Sequence, residues 1–157
     1  GKVPDIIDNA IVVVDFESGQ RSVLDLNMFA DGSRFQDSIV VIGTAGKVEC
    51  EIPGPTRFWP KKFLGDYRTA KLTLCPRSPK GPKLLEVPVD NKLLDAGDHN
   101  GSTFYQHQKF VDVVRGNQSV EVTLDDGIKA VMIGLAAQHS ILTRKAIDLT
   151  RGDYKIL

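Results

Sequence analysis

The chain has 157 residues, of which 41% are hydrophobic, and its 20 basic and 20 acidic residues cancel to a formal net charge of zero. Nucleic-acid binding and attachment to anionic membranes both depend on positive charge, so this balance, with no local basic run, argues against either partner. No stretch approaches the ~20 apolar residues of a membrane helix, and the length predicts a single domain over residues 1–157.

The first ninety residues predict β-strands that follow one another through short turns. Apolar runs and alternating patterns indicate strands at Ala10–Val14, Leu24–Met28, Ser38–Ile42, Lys47–Ile52, Ala70–Leu74 and Leu84–Val89. Connections this short join antiparallel neighbours, because parallel strands need long crossovers. Pro88 interrupts the last strand, which is therefore predicted to lie at an edge of the sheet.

The two cysteines are predicted on different sides of the sheet. Cys50 shares the apolar side of its strand with Val48 and Ile52, whereas Cys75 falls in register with the polar residues of the next strand. Isolated thiols that point in different directions predict a reduced, cytoplasmic protein rather than a disulfide scaffold. A nucleophilic role would need a paired His or Asp motif, so packing is the favoured interpretation.

Two helices are predicted in the last third of the chain, separated by a short strand and followed by a closing strand at Ile147–Leu149. The first helix begins at Ser102, a suitable N-cap, and ends before Gly116. Residues spaced three and four apart form its inner stripe, namely His107, Phe110, Val111 and Val114. The predicted fold class is therefore α+β, a mostly antiparallel open sheet with helices packed on one face.

The second helix is predicted to be buried on more than one side. It begins after Thr123, which has capping-box spacing to Asp126, and includes the uncharged run Ala130–Ala137. Small residues form one stripe and bulky apolar residues form another, the latter being Ile128, Val131, Met132, Leu135 and Leu142. One stripe can cover the sheet, and the other is covered either by the first helix or by a surface outside this chain.

Sequence motifs for catalysis and cofactor binding are missing. There is no Gly-x-Gly-x-x-Gly, no Gly-x-x-x-x-Gly-Lys-Ser/Thr and no His-x-x-x-His. His107 and His139 are interpreted as structural residues of the two helices. No residue is therefore assigned a catalytic, cofactor-binding or metal-binding role.

His99 is the candidate binding histidine, because it lies in the polar loop Gly97–Ser102 directly before a helix N-terminus. Unsatisfied backbone N–H groups at such a terminus suit a ligand hydroxyl or an anion. Asx and glycine residues before a helix are also ordinary capping chemistry, so both interpretations stay open.

Two segments resemble the C-terminal domain of the Gfo/Idh/MocA oxidoreductases. Ser33–Gly46 is similar to the family run in which Tyr-Gly-Tyr-Asp-Gln-Arg enters a strand ending in Gly-x-x-Gly, and His99–His107 is similar to His-Gly-Gly-Ser-Thr-Tyr-Tyr-Glu-His. Asp126-Gly127, Ala136-Ala137, Ser140 and Ile147–Leu149 also recur in the family. The order and spacing of these short motifs carry the resemblance, which covers about Ile6 to Leu149.

The resemblance implies a parent enzyme that uses NAD or NADP to oxidise or reduce a sugar, an inositol or a related polyol. It places Arg34, Phe35, His99 and Asn100 in the substrate-binding wall. Phe35 takes the position of the second family tyrosine, so it can stack on a sugar but cannot donate a hydroxyl hydrogen bond. The family's catalytic lysine lies in a Glu-Lys-Pro motif of the nucleotide-binding domain, which we expect to be absent from this chain.

The chain alone is therefore expected to bind no cofactor and to carry out no catalysis. The resemblance also implies a homo-oligomer formed through the sheet face. Two other functions stay open: a non-enzymatic binding or scaffold domain of the same fold, and an unrelated α+β interaction domain.

Overall fold

A computed structural model describes residues 6–30, 32–54, 60, 69–96 and 99–150 of the chain, and within these ranges there are six strands and three α-helices. The chain divides into a terminal unit, Gly1–Leu26 with Arg115–Leu157, and a central unit, Asn27–Val114. The described strands form two open antiparallel sheets. The predicted α+β class with an antiparallel open-sheet architecture is confirmed.

The two-stranded sheet is a hairpin of β1 (Asn9–Asp15) and β2 (Arg21–Asn27). Its turn is closed by the N–H of Phe16, which donates to the carbonyl of Gln20, and Gly19 supplies the left-handed residue at φ 89°. Arg21 Nε donates to Asp15 Oδ1 at 2.5 Å, and this hydrogen bond raises the pKa of Arg21. Both strands were predicted by the sequence.

The longest helix, α3 (Leu124–Thr143), begins with the predicted capping box. Thr123 Oγ1 accepts from the N–H of Asp126 at 3.2 Å, and the N–H of Thr123 donates to Asp126 Oδ2 at 3.0 Å. The hydroxyl and the N–H of Thr123 both donate to the Asp126 carboxylate, and together they lower its pKa. The helix ends at Arg144, whose backbone is left-handed with φ 55°.

Two predicted strands are absent from the terminal unit. Residues 115–123, which lie between the helices, form turns and bends, and Ile147–Leu149 forms no ladder. A strand needs a neighbouring backbone edge as well as an apolar pattern. Among the described residues β1 pairs with β2, and the hydroxyl of Ser140 donates to the carbonyl of Lys145 at 2.7 Å, which fixes the start of the closing segment instead.

The central unit contains a four-stranded sheet in the order β3 (Phe35–Gly43), β4 (Gly46–Pro53), β5 (Ala70–Pro76) and β6 (Lys83–Val87). All three pairings are antiparallel, and β6 lies at the edge as predicted. The β3–β4 turn needs Gly46, because its φ is 152° and a Cβ there would collide with the backbone of Cys75 and Pro76. β3 begins at Phe35, three residues before the predicted start.

The register gives this sheet one mostly apolar face and one mixed face. The apolar face contains Asp37 and Lys83 at its ends and otherwise Ile39, Val41, Val48, Cys50, Ile52, Ala70, Leu72, Leu74, Leu85 and Val87. The mixed face carries charged residues together with the apolar residues Val40, Ile42 and Leu84. On the other face Lys71 lies between Glu51 and Glu86, so opposite charges are cross-strand neighbours. Cys50 and Cys75 are free and lie on opposite faces, which confirms the predicted directions of the two thiols.

Two helices complete the central unit, α1 (Asn91–Ala96) and α2 (Ser102–Val114), with a 3₁₀ turn at His99–Gly101 between them. Ser102 is the first helical residue rather than the N-cap, because the 3₁₀ turn leads directly into α2. Gly116 follows the helix at φ 76°, as predicted for its C-terminal stop.

Apolar side chains of α2 are exposed rather than inward-facing. Phe110 and Val114 of the predicted inner stripe are 67% and 70% exposed. The spacing of apolar residues identifies which face of a helix is apolar but does not supply the surface that covers it. Among the described hydrophobic residues only Ala70 and Ala136 are buried. None of the helices in the described ranges is both long and apolar enough to cross a membrane.

Acid should weaken the α3 cap in a way that depends on Asp126. The carboxylate pKa is lower in the folded chain than its ordinary value of 3.8, so its stabilisation is complete above that value and is lost as the pH falls through the folded pKa. We expect the unfolding free energy of the wild type to fall more steeply between pH 5 and pH 2 than that of Asp126→Asn. Urea denaturation followed by far-UV circular dichroism measures both curves.

Asp125→Asn is the control, because Asp125 is exposed and is not the capping-box residue. The pH dependence of its unfolding free energy should follow that of the wild type more closely than the pH dependence of Asp126→Asn does. Parallel pH curves for the wild type and Asp126→Asn would contradict the capping assignment.

Candidate functional site

A polar cluster forms where the start of β3 meets the turn before α2. The register of β3 on β4 shifts between Phe35 and Asp37, so Gln36 is an extra residue in the strand and forms a β-bulge. Successive side chains of a regular strand point to opposite faces, whereas a bulge changes their directions. Gln36 and Asp37, although adjacent in sequence, consequently both reach His99.

His99 is held to β3 through its backbone and its ring. The backbone N–H donates to Gln36 Oε1 at 3.3 Å. The ring Nδ1 lies 3.2 Å from Gln36 Nε2 and 3.3 Å from Asp37 Oδ2. The side chains of His99 and Asp37 are 53% and 42% exposed, so the cluster is anchored on one side and open to solvent on the other.

The ring nitrogen Nδ1 can satisfy only one of its two neighbours at a time. Because Gln36 Oε1 accepts from the backbone of His99, the amide presents Nε2 to the ring. Unprotonated Nδ1 accepts from this amide, whereas protonated Nδ1 donates to the Asp37 carboxylate. In each state the cluster keeps a donor or an acceptor available to solvent, which suits a ligand hydroxyl because a hydroxyl both donates and accepts.

The turn that presents His99 has an uncommon backbone. His99, Asn100 and Gly101 have φ values of 57°, 51° and 82°, so three successive residues are left-handed. Such a conformation is unfavourable for residues with a Cβ, and here the hydrogen bonds to Gln36 hold its first residue. Gly101 is buried, and a Cβ there would lie 3.0 Å from Val89 Cγ1. Glycine is therefore favoured by the left-handed conformation, and a Cβ at this position would fit only if the Val89 side chain moved by a few tenths of an ångström.

Arg34 and Phe35 lie at the same end of β3. The guanidinium carbon of Arg34 is 4.8 Å from the centroid of the Phe35 ring, within the range of a cation–π contact. Phe35 is half-buried and pairs with Pro53 across the strands. This corner thus has an aromatic surface with a guanidinium over it, next in sequence to the hydrogen-bonding residues Gln36 and Asp37.

The four predicted binding residues fall into two groups at this corner. Arg34 directly precedes β3 and Phe35 is its first residue, and His99 and Asn100 belong to the turn that Gln36 and Asp37 hold. Phe35 lies in β3, which begins before the predicted start at Ser38 because Phe35 pairs with Pro53. Gly97 and Asp98 of the predicted loop lie outside the described residues. Binding of a substrate by these residues stays a prediction.

Sequence reasoning missed Gln36 and Asp37 as site residues. Their adjacency to Phe35 within the same motif was the available signal, but a β-bulge has no distinctive pattern in this segment. His107, predicted to face inward, has an exposed side chain, as does His139. Among the residues the structure describes, no group of three or more His, Cys, Asp or Glu side chains could hold a metal ion.

Comparison with known proteins gives no relative: no family model matches the chain, and no curated protein is significantly similar to it.

Replacement of Gly101 by alanine should disturb the His99 cluster. The substitution puts a Cβ at φ 82° and close to Val89, so we expect the free energy of unfolding to fall by about 1–2 kcal/mol. The side-chain amide resonances of Gln36 should also shift, because the turn that carries His99 must move. Urea denaturation and nuclear magnetic resonance (NMR) spectroscopy measure the two effects.

Gly32→Ala is the matched control, since nothing lies within 4 Å of a Cβ there and its φ is not left-handed. Equal losses of stability in the two variants, with unchanged Gln36 resonances in both, would show that Gly101 does not set the turn.

Proposed function

We propose that this chain is the substrate-binding and oligomerisation domain of an NAD(P)-dependent oxidoreductase of the Gfo/Idh/MocA type that acts on a sugar, an inositol or a related polyol. One observation carries the proposal: Gln36 and Asp37 hydrogen-bond to His99 across 63 and 62 residues of sequence. Gln36 and Asp37 belong to Ser33–Gly46, and His99 belongs to His99–His107; these are the two segments whose sequences resemble the family. Because these two segments contact each other, they support a common binding site.

The chemistry of the corner suits a polyhydroxylated ligand. Hydroxyl groups need partners that accept and partners that donate, and here an amide and a carboxylate each lie within 3.5 Å of the same imidazole ring. The Phe35 ring offers an apolar surface to the C–H face of a sugar. Arg34 adds guanidinium donors, and its contact with Phe35 orders both side chains before a ligand arrives.

The chain supplies one wall of the proposed active site. Hydride transfer needs a nicotinamide ring against the reacting carbon and a group that takes the hydroxyl proton. We assign both to a nucleotide-binding domain of the parent protein, with NAD or NADP as its cofactor, and assign no catalytic or cofactor-binding residue here. The free, oppositely directed thiols Cys50 and Cys75 favour a cytoplasmic location.

Kinetics of the parent protein test the substrate wall. With NAD(P)H formation measured against a panel of sugars and inositols, Phe35→Ala and His99→Ala should each lower kcat/KM by the equivalent of about 1–3 kcal/mol. The physical reasons are the loss of a stacking surface and of a hydrogen-bonding group. Asp37→Asn should have a smaller effect, because the amide still accepts a hydrogen bond.

Phe110→Ala removes an exposed aromatic ring of α2 and is the control, with kcat/KM expected to stay unchanged.

A parent protein that binds the cofactor and the polyol but transfers no hydride would support the scaffold alternative. Full activity in both Phe35→Ala and His99→Ala would contradict the proposal that these residues bind the substrate.

Self-association through the sheet is the second part of the proposal. Ile39 and Val41 of the apolar face are more than half exposed, and Leu85 and Val87 nearly so. Contiguous apolar patches beyond a few hundred Å² rarely stay uncovered in monomeric proteins. A second copy of the chain gives such a face a matching surface, since a two-fold interface pairs a patch with itself.

Introducing a charge on the apolar face should prevent two copies of the chain from associating. We expect Val41→Lys to lower self-association at tens of micromolar protein, because it buries a charge in the proposed interface. Val40→Lys places the same residue on the opposite face, beside Glu49, and should leave self-association unchanged. Sedimentation velocity compares them, and a wild-type chain that is monomeric without aggregation would contradict the proposed interface.

A further inference from the structure

The left-handed turn before α2 contains the one Asn-Gly pair in the sequence, Asn100-Gly101. Asparagine followed by glycine is the pair most prone to spontaneous deamidation, because glycine has no side chain to hinder attack by its backbone nitrogen. Asn100 is half-buried and is one of the four predicted binding residues. The reactivity of this pair therefore determines how long the corner keeps the amide of Asn100.

Deamidation joins two atoms of these neighbouring residues. The backbone nitrogen of Gly101 gives its proton to water and attacks the side-chain carbonyl carbon of Asn100, Cγ. A bond forms between this nitrogen and Cγ, the bond from Cγ to Nδ2 breaks, and the side-chain nitrogen takes up a proton from water and leaves as ammonia. A second water molecule then opens the five-membered succinimide ring at either carbonyl, which gives aspartate or isoaspartate. Water is the only co-reactant, and nothing is oxidised or reduced.

The backbone conformation of Asn100 keeps the two reacting atoms apart. Ring closure needs the Gly101 nitrogen and the Asn100 Cβ to be nearly eclipsed about the Asn100 Cα–C bond. Asn100 has φ 51° and ψ 40°. Because the backbone nitrogen and the Cβ of an L-residue are about 120° apart around this bond, the torsion from Cβ to the Gly101 nitrogen is about 160°. The nitrogen therefore lies almost opposite the side chain that it would have to attack.

Packing around Gly101 opposes the rotation that would bring these atoms together. Gly101 is buried, and a Cβ built on it would lie 3.0, 3.5 and 3.6 Å from side-chain atoms of Val89, Leu93 and Tyr105. These neighbours leave little room for the peptide between Asn100 and Gly101 to turn over. Burial also limits the access of water, which has to remove the proton from the Gly101 nitrogen.

Hydrogen bonds to β3 hold the other side of the Asn100 backbone. The N–H of His99 donates to Gln36 Oε1 at 3.3 Å, and the His99 ring nitrogen Nδ1 lies 3.2 Å from Gln36 Nε2. Gln36 thus contacts both the backbone and the ring of the residue before Asn100. Loss of these contacts frees the His99 side of the turn, so the ψ angle of Asn100 can change while Gly101 stays packed.

We propose that Asn100 is a deamidation site that the closed turn protects, and that opening of the turn at the Gln36–His99 contact exposes it to reaction. The product places a carboxylate next to His99, whose ring already has Asp37 Oδ2 at 3.3 Å. Deamidation therefore adds a negative charge to this corner and removes the amide donor of Asn100, and isoaspartate also lengthens the backbone by one methylene. This modification does not depend on which ligand the corner binds.

Deamidation rates of the 157-residue chain test the protection by the turn. The folded chain and the chain unfolded in guanidinium chloride are incubated in the same mildly alkaline buffer, and peptide mapping by mass spectrometry measures aspartate and isoaspartate at position 100. We expect the folded chain to react at least about tenfold more slowly, because only its minor open population can close the ring. Equal rates in the two states, or no reaction in the unfolded chain, would overturn the proposal.

Gln36→Ala separates opening of the turn from global unfolding. Removal of both Gln36 contacts should raise the Asn100 rate in the folded chain about threefold to tenfold, whereas Gln108→Ala at an exposed position of α2 should leave it unchanged. Circular dichroism checks that each variant stays folded during incubation. Gln36→Glu, which keeps the acceptor for the His99 N–H and loses the donor to the ring, is the milder second variant and should give an intermediate rate. Unchanged rates in both Gln36 variants, or equal acceleration in Gln108→Ala, would contradict the assigned role of the Gln36–His99 contact.

Discussion

The β-bulge at Gln36 is the constraint on which the polar corner of the central unit depends. Without it, Gln36 and Asp37 would point to opposite faces of β3, and only one of them could reach His99. The bulge turns both toward the same ring, and the backbone N–H of His99 completes the junction. The corner is half-exposed around His99, so the hydrogen bonds to Gln36 and Asp37, together with the close packing of Gly101 against Val89, determine the position of the turn.

Local sequence signals predicted most of the secondary structure. The alternation of Lys47–Ile52 predicted a strand, and the spacing of Thr123 and Asp126 predicted a capping box. Both are present in the structure. The closing strand at Ile147–Leu149 did not form, because a strand needs a partner edge that no local pattern specifies. The predicted inner stripe of α2 is exposed. The local sequence of the helix does not specify which surface would cover that stripe.

The candidate site was predictable to a similar degree. Phe35 and His99 could be selected from sequence because each belongs to a motif of the resemblance, and the structure brings their two segments together. Gln36 and Asp37 could not, since their shared direction comes from the bulge and from a contact more than sixty residues away. Long-range contacts of this kind depend on how the turn meets the sheet, which the order of residues in β3 alone does not specify.

The central claim is that His99 and the bulged strand are energetically coupled. A double-mutant cycle measures this coupling through the unfolding free energies of the wild type, Gln36→Ala, His99→Ala and the double variant. The ring of His99 hydrogen-bonds to the Gln36 amide at 3.2 Å, so the account predicts a coupling of about 0.5–1.5 kcal/mol. Effects that add to within about 0.3 kcal/mol would contradict it.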